Sequence, residues 1–219
     1  MILVFDLDDT LYDERAYVMS GFAAVAGMLR RRLGWPEASS VAFMKRELTA
    51  QGRGAIFDRL LEKHGVPSRA LVRACIKTYR DHTPTIRLYP AAERLLRQLD
   101  GPLYLVTDGH KIAQQRKVEA LGLDRRFRKC FITHRYGVKN AKPSVHCFAL
   151  IATLEQCGWA DIAYIGDDPA KDFVNLSPLG VHTVRVLTGQ HKTVIAKPGY
   201  DARYTIPDLR SLPKLLSGL

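Results

Sequence analysis

The sequence predicts an α/β fold: a parallel sheet flanked by helices, with a helical insert after the first strand. Three observations predict it. From residue 90 onward, short apolar runs alternate with helical stretches, the rhythm of strand–helix–strand units. The first apolar run of the chain and two of those later ones stop abruptly at polar residues, at Asp6, Thr107 and Asp167. Between the first run and the rest, residues 13–85 show helical periodicity.

The elements follow in order. Ile2 to Phe5 is too short to span a membrane and reads as a buried strand. In Tyr17 to Leu33, apolar Val18, Phe22, Val25, Ala26 and Leu29 recur near the 3.6-residue period. Arg30, Arg31 and Arg32 close that helix where cations favour its dipole, and Gly34 can cap it. Further helices are expected over Ser39–Ala50, Ala55–His64 and Ser68–Tyr79, punctuated by Gly52, Gly54, Gly65 and Pro67. Then come a helix over Ala91–Leu99, a strand over Leu103–Val106, a helix over Lys111–Leu121 and a short strand over Lys129–Thr133. A helix over Ser144–Cys157, ended by Gly158, precedes a strand over Ile162–Ile165. Pro169 would sit just inside the next helix. A strand over Val181–Val186 and a short helix over Pro207–Leu216 complete the chain. Residues 1–12 and 86–219 thus form one unit, and 13–85 a helical insert.

Composition narrows the class. The chain has 219 residues and 47% apolar residues, enough to bury a core. Its four cysteines, Cys75, Cys130, Cys147 and Cys157, lack the spacing of a metal site and read as reduced and structural. No basic and apolar leader opens the chain, and no segment approaches the ~20 apolar residues of a membrane span. A soluble, cytoplasmic protein is expected. Net charge is +11. Residues 13–85 carry 13 Lys/Arg against 7 Asp/Glu, a balance of +6; the remainder carries 20 against 15, or +5. Such a surface attracts phosphorylated ligands or nucleic acid. A nucleic-acid or partner-binding protein is the alternative class, but no basic tail or aromatic stacking run supports it.

The polar strand ends carry the chemistry. Asp6 and Asp8 follow the first strand, where ligands of open α/β sheets bind. Such carboxylates can hold a hard divalent cation, and one can attack a substrate to form a covalent intermediate. The Thr107 hydroxyl and the N–H groups of the Asp108–Gly109 turn can hold an anionic oxygen. Asp167 could complete a metal site with Asp6. Lys142, before Pro143, could neutralise a phosphate as a point charge.

Taken together, Asp6-x-Asp8-x-Thr10, the strand ending in Thr107, Lys142-Pro143 and Gly166-Asp167 with Asp172 resemble the haloacid dehalogenase superfamily. The resemblance implies a Rossmann-like core with a small helical cap of the C1 type. It implies a Mg²⁺-dependent phosphatase that hydrolyses a small phosphomonoester, such as a sugar phosphate or nucleotide, through an aspartyl-phosphate. Asp6 would be the nucleophile and Asp8 the general acid and base. Thr107 and Lys142 would bind the phosphate, and Mg²⁺ would sit on Asp6, the Asp8 carbonyl and Asp167. Asp172 would support the metal or the lysine. Lys139 competes with Lys142 for its role, and Pro143 favours Lys142. Asp168, beside Asp167, reads as a helix N-cap or first-turn charge, with direct metal contact as the alternative. An acid at Asp8 distinguishes the phosphatase branch from the dehalogenases, while a phosphomutase or other phosphotransferase would use the same residues. The insert would select the substrate, with Arg53 of Gly52-Arg53-Gly54 offered to an anionic group. The partner expected is a small phosphorylated substrate, for a monomer or homodimer.

Overall fold

The structure, a computed structural model, describes residues 1–219. The chain divides into two compact units, Met1–Glu14 with Ile86–Leu219, and Arg15–Thr85.

The first unit is built on six strands: β1 (Ile2–Phe5), β2 (Leu103–Thr107), β3 (Lys129–Ile132), β4 (Ile162–Gly166), β5 (His182–Val186) and β6 (Tyr204–Ile206). They pair in the order β3-β2-β1-β4-β5-β6, all parallel. That order is the doubly wound one: successive strands are added outward on one side of β1, and then on the other from β4 onward. Parallel strands need both faces covered, which is why these runs are apolar throughout rather than alternating. Val4, Tyr104 and Tyr164 lie side by side on one face. They pack there with Phe131, Phe148, Ile151 and Phe173. Leu3, Phe5, Leu105 and Ile165, at the intervening positions, are equally buried on the other face. Phe127 meets Phe5 edge-on there, with ring centroids 6.1 Å apart.

The second unit holds the body of α1 (Glu14–Leu33), α2 (Glu37–Gln51), α3 (Ile56–Lys63) and α4 (Arg69–Asp81). Its core joins Phe22, Val25 and Leu29 of α1 to Met44, Leu60, Leu61 and Cys75. Trp35, Phe43 and Phe57 pack partly buried against that core. Ser68 caps α4 by accepting from the Leu71 N–H. Gly21 is needed in mid-helix because a Cβ there would lie 2.4 Å from the Tyr79 ring. His64 stacks on Trp35, and His82 bonds Ser20 and the Tyr79 carbonyl. Both histidines are structural. No helix is long and apolar enough to cross a membrane.

The core helices are α5 (Pro90–Gln98), α6 (Lys111–Ala120), α7 (His146–Glu155) and α8 (Leu212–Leu216). Three expectations change here. No α-helix follows β4 at Pro169. The Asp168 carboxylate accepts from the Ala170 N–H and the Asp172 carboxylate from the Asp168 N–H, so side chains take the groups a helix would use and the segment runs as turns. Asp168 is therefore a turn residue, not a helix cap. Second, α7 starts at His146, and Lys142 lies in the turns before it. Third, the final helix is a 3₁₀ turn, Leu209–Ser211, followed by the short α8. β6 went unforeseen, since three residues offer too little pattern to read.

Candidate active site

β1, β2 and β4 end within two residues of one another: Phe5 pairs with both Leu105 and Ile165, and β2 and β4 run on to Thr107 and Gly166. The Asp6 N–H extends the pairing by donating to the Ile165 carbonyl at 2.8 Å. Asp6, Thr107 and Asp167 therefore share one rim of the sheet, at its switch point.

Lys142 comes to this rim from the segment before α7. Its buried ammonium donates to Asp6 Oδ1 at 2.6 Å, Asp172 Oδ1 at 2.7 Å and the Tyr164 hydroxyl at 2.9 Å. All three N–H groups are thus used within the protein. Tyr164 in turn donates to Asp172 Oδ1, and the other Asp172 oxygen accepts from the Asp168 N–H. Asp172 is occupied in holding the lysine. Burial pushes the Lys142 amine down, but the Asp172 and Asp6 charges outweigh it and hold it well above the usual lysine range. Asp172 is likewise buried, yet Lys142 keeps its carboxyl low. Asp6 goes the other way. Burial raises it well above the usual carboxylate range, Lys142 opposes this, and the Asp172 and Asp167 charges add to it.

Asp6, Asp167 and Asp172 each present a carboxylate oxygen within 4.8 Å of the others. All three are buried, with one fully buried ammonium among them. Such an excess of buried negative oxygen suits a hard divalent cation, so the residues fit Mg²⁺. Burial pushes Asp167 up to about 6 even though a hydrogen bond from His191 lowers it. His191 Nδ1 lies 2.8 Å from Asp167 Oδ2.

Asp8 points into a separate cradle. Its carboxylate takes the Lys117 ammonium at 2.7 and 2.9 Å, the Gln114 amide at 2.8 Å and the Tyr12 hydroxyl at 2.5 Å. Burial pushes its carboxyl up, but the Lys117 charge and these bonds prevail and hold it below the usual range. The Gln114 amide also donates to Thr107 Oγ1 at 2.6 Å. Because Thr107 accepts there, its hydroxyl proton is available to a ligand. Asp108 turns its carboxylate to the Thr133 hydroxyl and the Lys142 N–H, tying the end of β2 to the lysine segment. Gly109 turns the chain at φ +132°.

Other candidates lie elsewhere. Lys139 is exposed in the 3₁₀ turn Val138–Asn140. Arg53 is exposed in the turn between α2 and α3. Five contacting residues escaped the sequence reading: Tyr12, Gln114, Lys117, Tyr164 and His191. Each looks locally like an ordinary helix, strand or loop side chain; only the burial of Lys117 in the fold marks it out.

Comparison with known proteins adds to this geometry. The family profile for haloacid dehalogenase-like hydrolases matches residues 1–173. Glyceraldehyde 3-phosphate phosphatase of Methanocaldococcus jannaschii is 27% identical over 225 residues, covering 99% of this chain and 97% of that protein. The enzyme of the same name from Methanopyrus kandleri is 26% identical over 203 residues, covering 87% and 85%. Among solved structures, the HAD-hydrolase YfnB of Bacillus subtilis, bound to magnesium, superposes with a TM-score of 0.68 at 21% identity. It covers 98% of this chain and 97% of its own.

Proposed function

This chain belongs to the haloacid dehalogenase-like hydrolases, and from that premise we propose that it is a Mg²⁺-dependent phosphatase of a small phosphomonoester. The observation that carries the reading is the convergence of Asp6, Lys142 and Asp167 on one rim. Asp6 is the nucleophile. Lys142 holds one of its oxygens, which leaves the other to approach phosphorus. The Thr107 hydroxyl and the Asp108 and Gly109 N–H groups receive the phosphoryl oxygens. With a phosphoryl group bound, its negative charge opposes that of Lys117 and favours protonated Asp8, which gives its proton to the leaving oxygen and then takes one from the water that hydrolyses the aspartyl-phosphate. Asp6, Asp167 and the Asp8 carbonyl would hold Mg²⁺, with Asp172 steadying Lys142 beside them. The ion supplies positive charge against that of the phosphoryl group.

Residues 13–85 are the cap in this reading. Its basic composition suits an anionic substrate, with Arg53 as one candidate contact. Both archaeal relatives are glyceraldehyde 3-phosphate phosphatases, so a three-carbon sugar phosphate is the first substrate to test. The full chain with Mg²⁺ is expected to release phosphate from at least one member of a panel of sugar phosphates, nucleotides and organic acid phosphates, and to stop on chelation. Silence across the panel would refute the reading.

The Asp8 cradle makes a pH prediction. Lys117 depresses the Asp8 carboxyl, so Lys117→Met removes that charge and lets the group rise. Whichever limb of the pH–rate profile Asp8 governs is expected to move to higher pH. An unmoved profile would show that Lys117 leaves the proton chemistry alone.

A further inference from the structure

We infer that the segment Thr188–His191, between β5 and β6, is a positioning clamp that holds the Asp6–Asp9 loop and the Asp167 loop at their working separation. The inference rests on the phosphatase reading above. The segment lies beyond residue 173, where the family match ends, yet it touches both carboxylate-bearing loops.

On one side it grips Asp9. The Thr188 hydroxyl donates to the Asp9 carbonyl at 2.6 Å, and the Gln190 N–H donates to Asp9 Oδ2 at 3.1 Å. The Glu14 N–H takes the other Asp9 oxygen at 3.0 Å. Asp9 is buried and has φ +57°, a left-handed conformation unfavourable for a residue with a side chain. Such a conformation persists where its surroundings over-determine it, and three hydrogen bonds do so here. The packing is equally specific. Gly189 has φ +64°, and a Cβ there would fall 2.1 Å from the Asp9 side chain. Only glycine lets the clamp close on Asp9.

On the other side His191 Nδ1 meets Asp167 Oδ2. Four consecutive residues therefore link the turn directly after Asp8 to the carboxylate across the rim. Phosphoryl transfer depends mainly on position and charge, and misplacement of about 1 Å can cost roughly 100-fold. A partner on a ligating carboxylate also orients it for its metal.

The test uses the full chain with Thr188→Val, which keeps the shape and removes the hydroxyl, and Thr188→Ser, which keeps the hydroxyl. His191→Ala removes the second contact, and His191→Gln retains a donor. Three quantities are read: kcat and KM on the best phosphomonoester of the wild type, Mg²⁺ binding by calorimetry with the metal alone, and thermal unfolding. Thr188→Val is expected to lower kcat roughly 10- to 100-fold with KM nearly unchanged, and Thr188→Ser to restore it. His191→Ala is expected to weaken Mg²⁺ binding about 10-fold, and His191→Gln to recover most of it. Wild-type kcat per folded molecule in Thr188→Val, or wild-type Mg²⁺ affinity in His191→Ala, overturns the clamp while leaving the phosphatase reading intact. Wild-type protein that neither binds Mg²⁺ nor turns over sinks both, and does so before any substitution is made.

Discussion

Replacing Asp6 by Asn is expected to lower phosphatase turnover by about 10⁴-fold or more while leaving the metal-free protein at least as stable. The amide cannot form the phosphoryl bond, and nothing else on the rim replaces it. The Lys142 ammonium is committed to three partners, and the Asp8 carboxylate is held in its own cradle. The stability half follows from linkage. Burial raises the Asp6 carboxyl well above its unfolded value. Its favourable contribution is therefore complete below the unfolded pKa and is lost as pH rises through the folded one. Asparagine mimics the protonated form at every pH, and the Lys142–Asp172 pair survives it. Thermal unfolding across pH, without metal, should show the variant matching wild type in acid and exceeding it where wild-type Asp6 ionises. Substantial residual turnover would remove Asp6 from the nucleophile's role.

The second large effect is expected at Lys142. Lys142→Met deletes the ammonium that separates two buried carboxylates, Asp6 and Asp172. Breaking a buried ion pair by removing one partner costs about 3–5 kcal/mol, because the remaining charge has no compensation. Tyr164 still donates to Asp172, but a neutral hydroxyl does not replace a cation. Urea denaturation should show the loss. Adding Asp172→Asn should return part of it by removing one of the stranded charges, and the non-additivity of the pair measures their coupling. Activity should fall in both variants, since Asp6 loses the donor that orients it. A single variant as stable as wild type would show that the ammonium is not the compensating charge.

These two effects concern residues that could be chosen from the chain alone, Asp6 and Lys142. The partners that make them consequential could not. Tyr164 looked like any aromatic on a buried strand, where its place in the pattern explains it fully. Its hydroxyl reaches Lys142 and Asp172 because β4 lies beside β1. Gln114 and Lys117 sit on a helix where polar side chains usually face water; the fold buries both against a carboxylate more than one hundred residues earlier. The choice between Lys139 and Lys142 also rested on a weak cue. Pro143 directly precedes the helix expected from Ser144, whereas the helix starts at His146 and a series of turns delivers Lys142 to Asp6. The helix expected at Pro169 failed because proline position is a local preference, and the Asp168 and Asp172 side chains offered the backbone better partners.

The class of fold, and the groups proposed here as reactive, are both legible in the sequence. Apolar runs that must be buried on both faces dictate parallel strands, and the chain opens at their ends, so the polar groups proposed for the chemistry, Asp6, Asp8, Thr107 and Asp167, stand out as a strictly local signal. Which groups hold those residues, and in what charge state, depends on how the fold brings distant segments together. Hydrogen bonds among Asp8 and Lys117, Lys142 and Asp172, or His191 and Asp167 depend on the strand order and on burial that strengthens each contact. No periodicity of two or of 3.6 residues records a meeting between side chains so far apart along the chain.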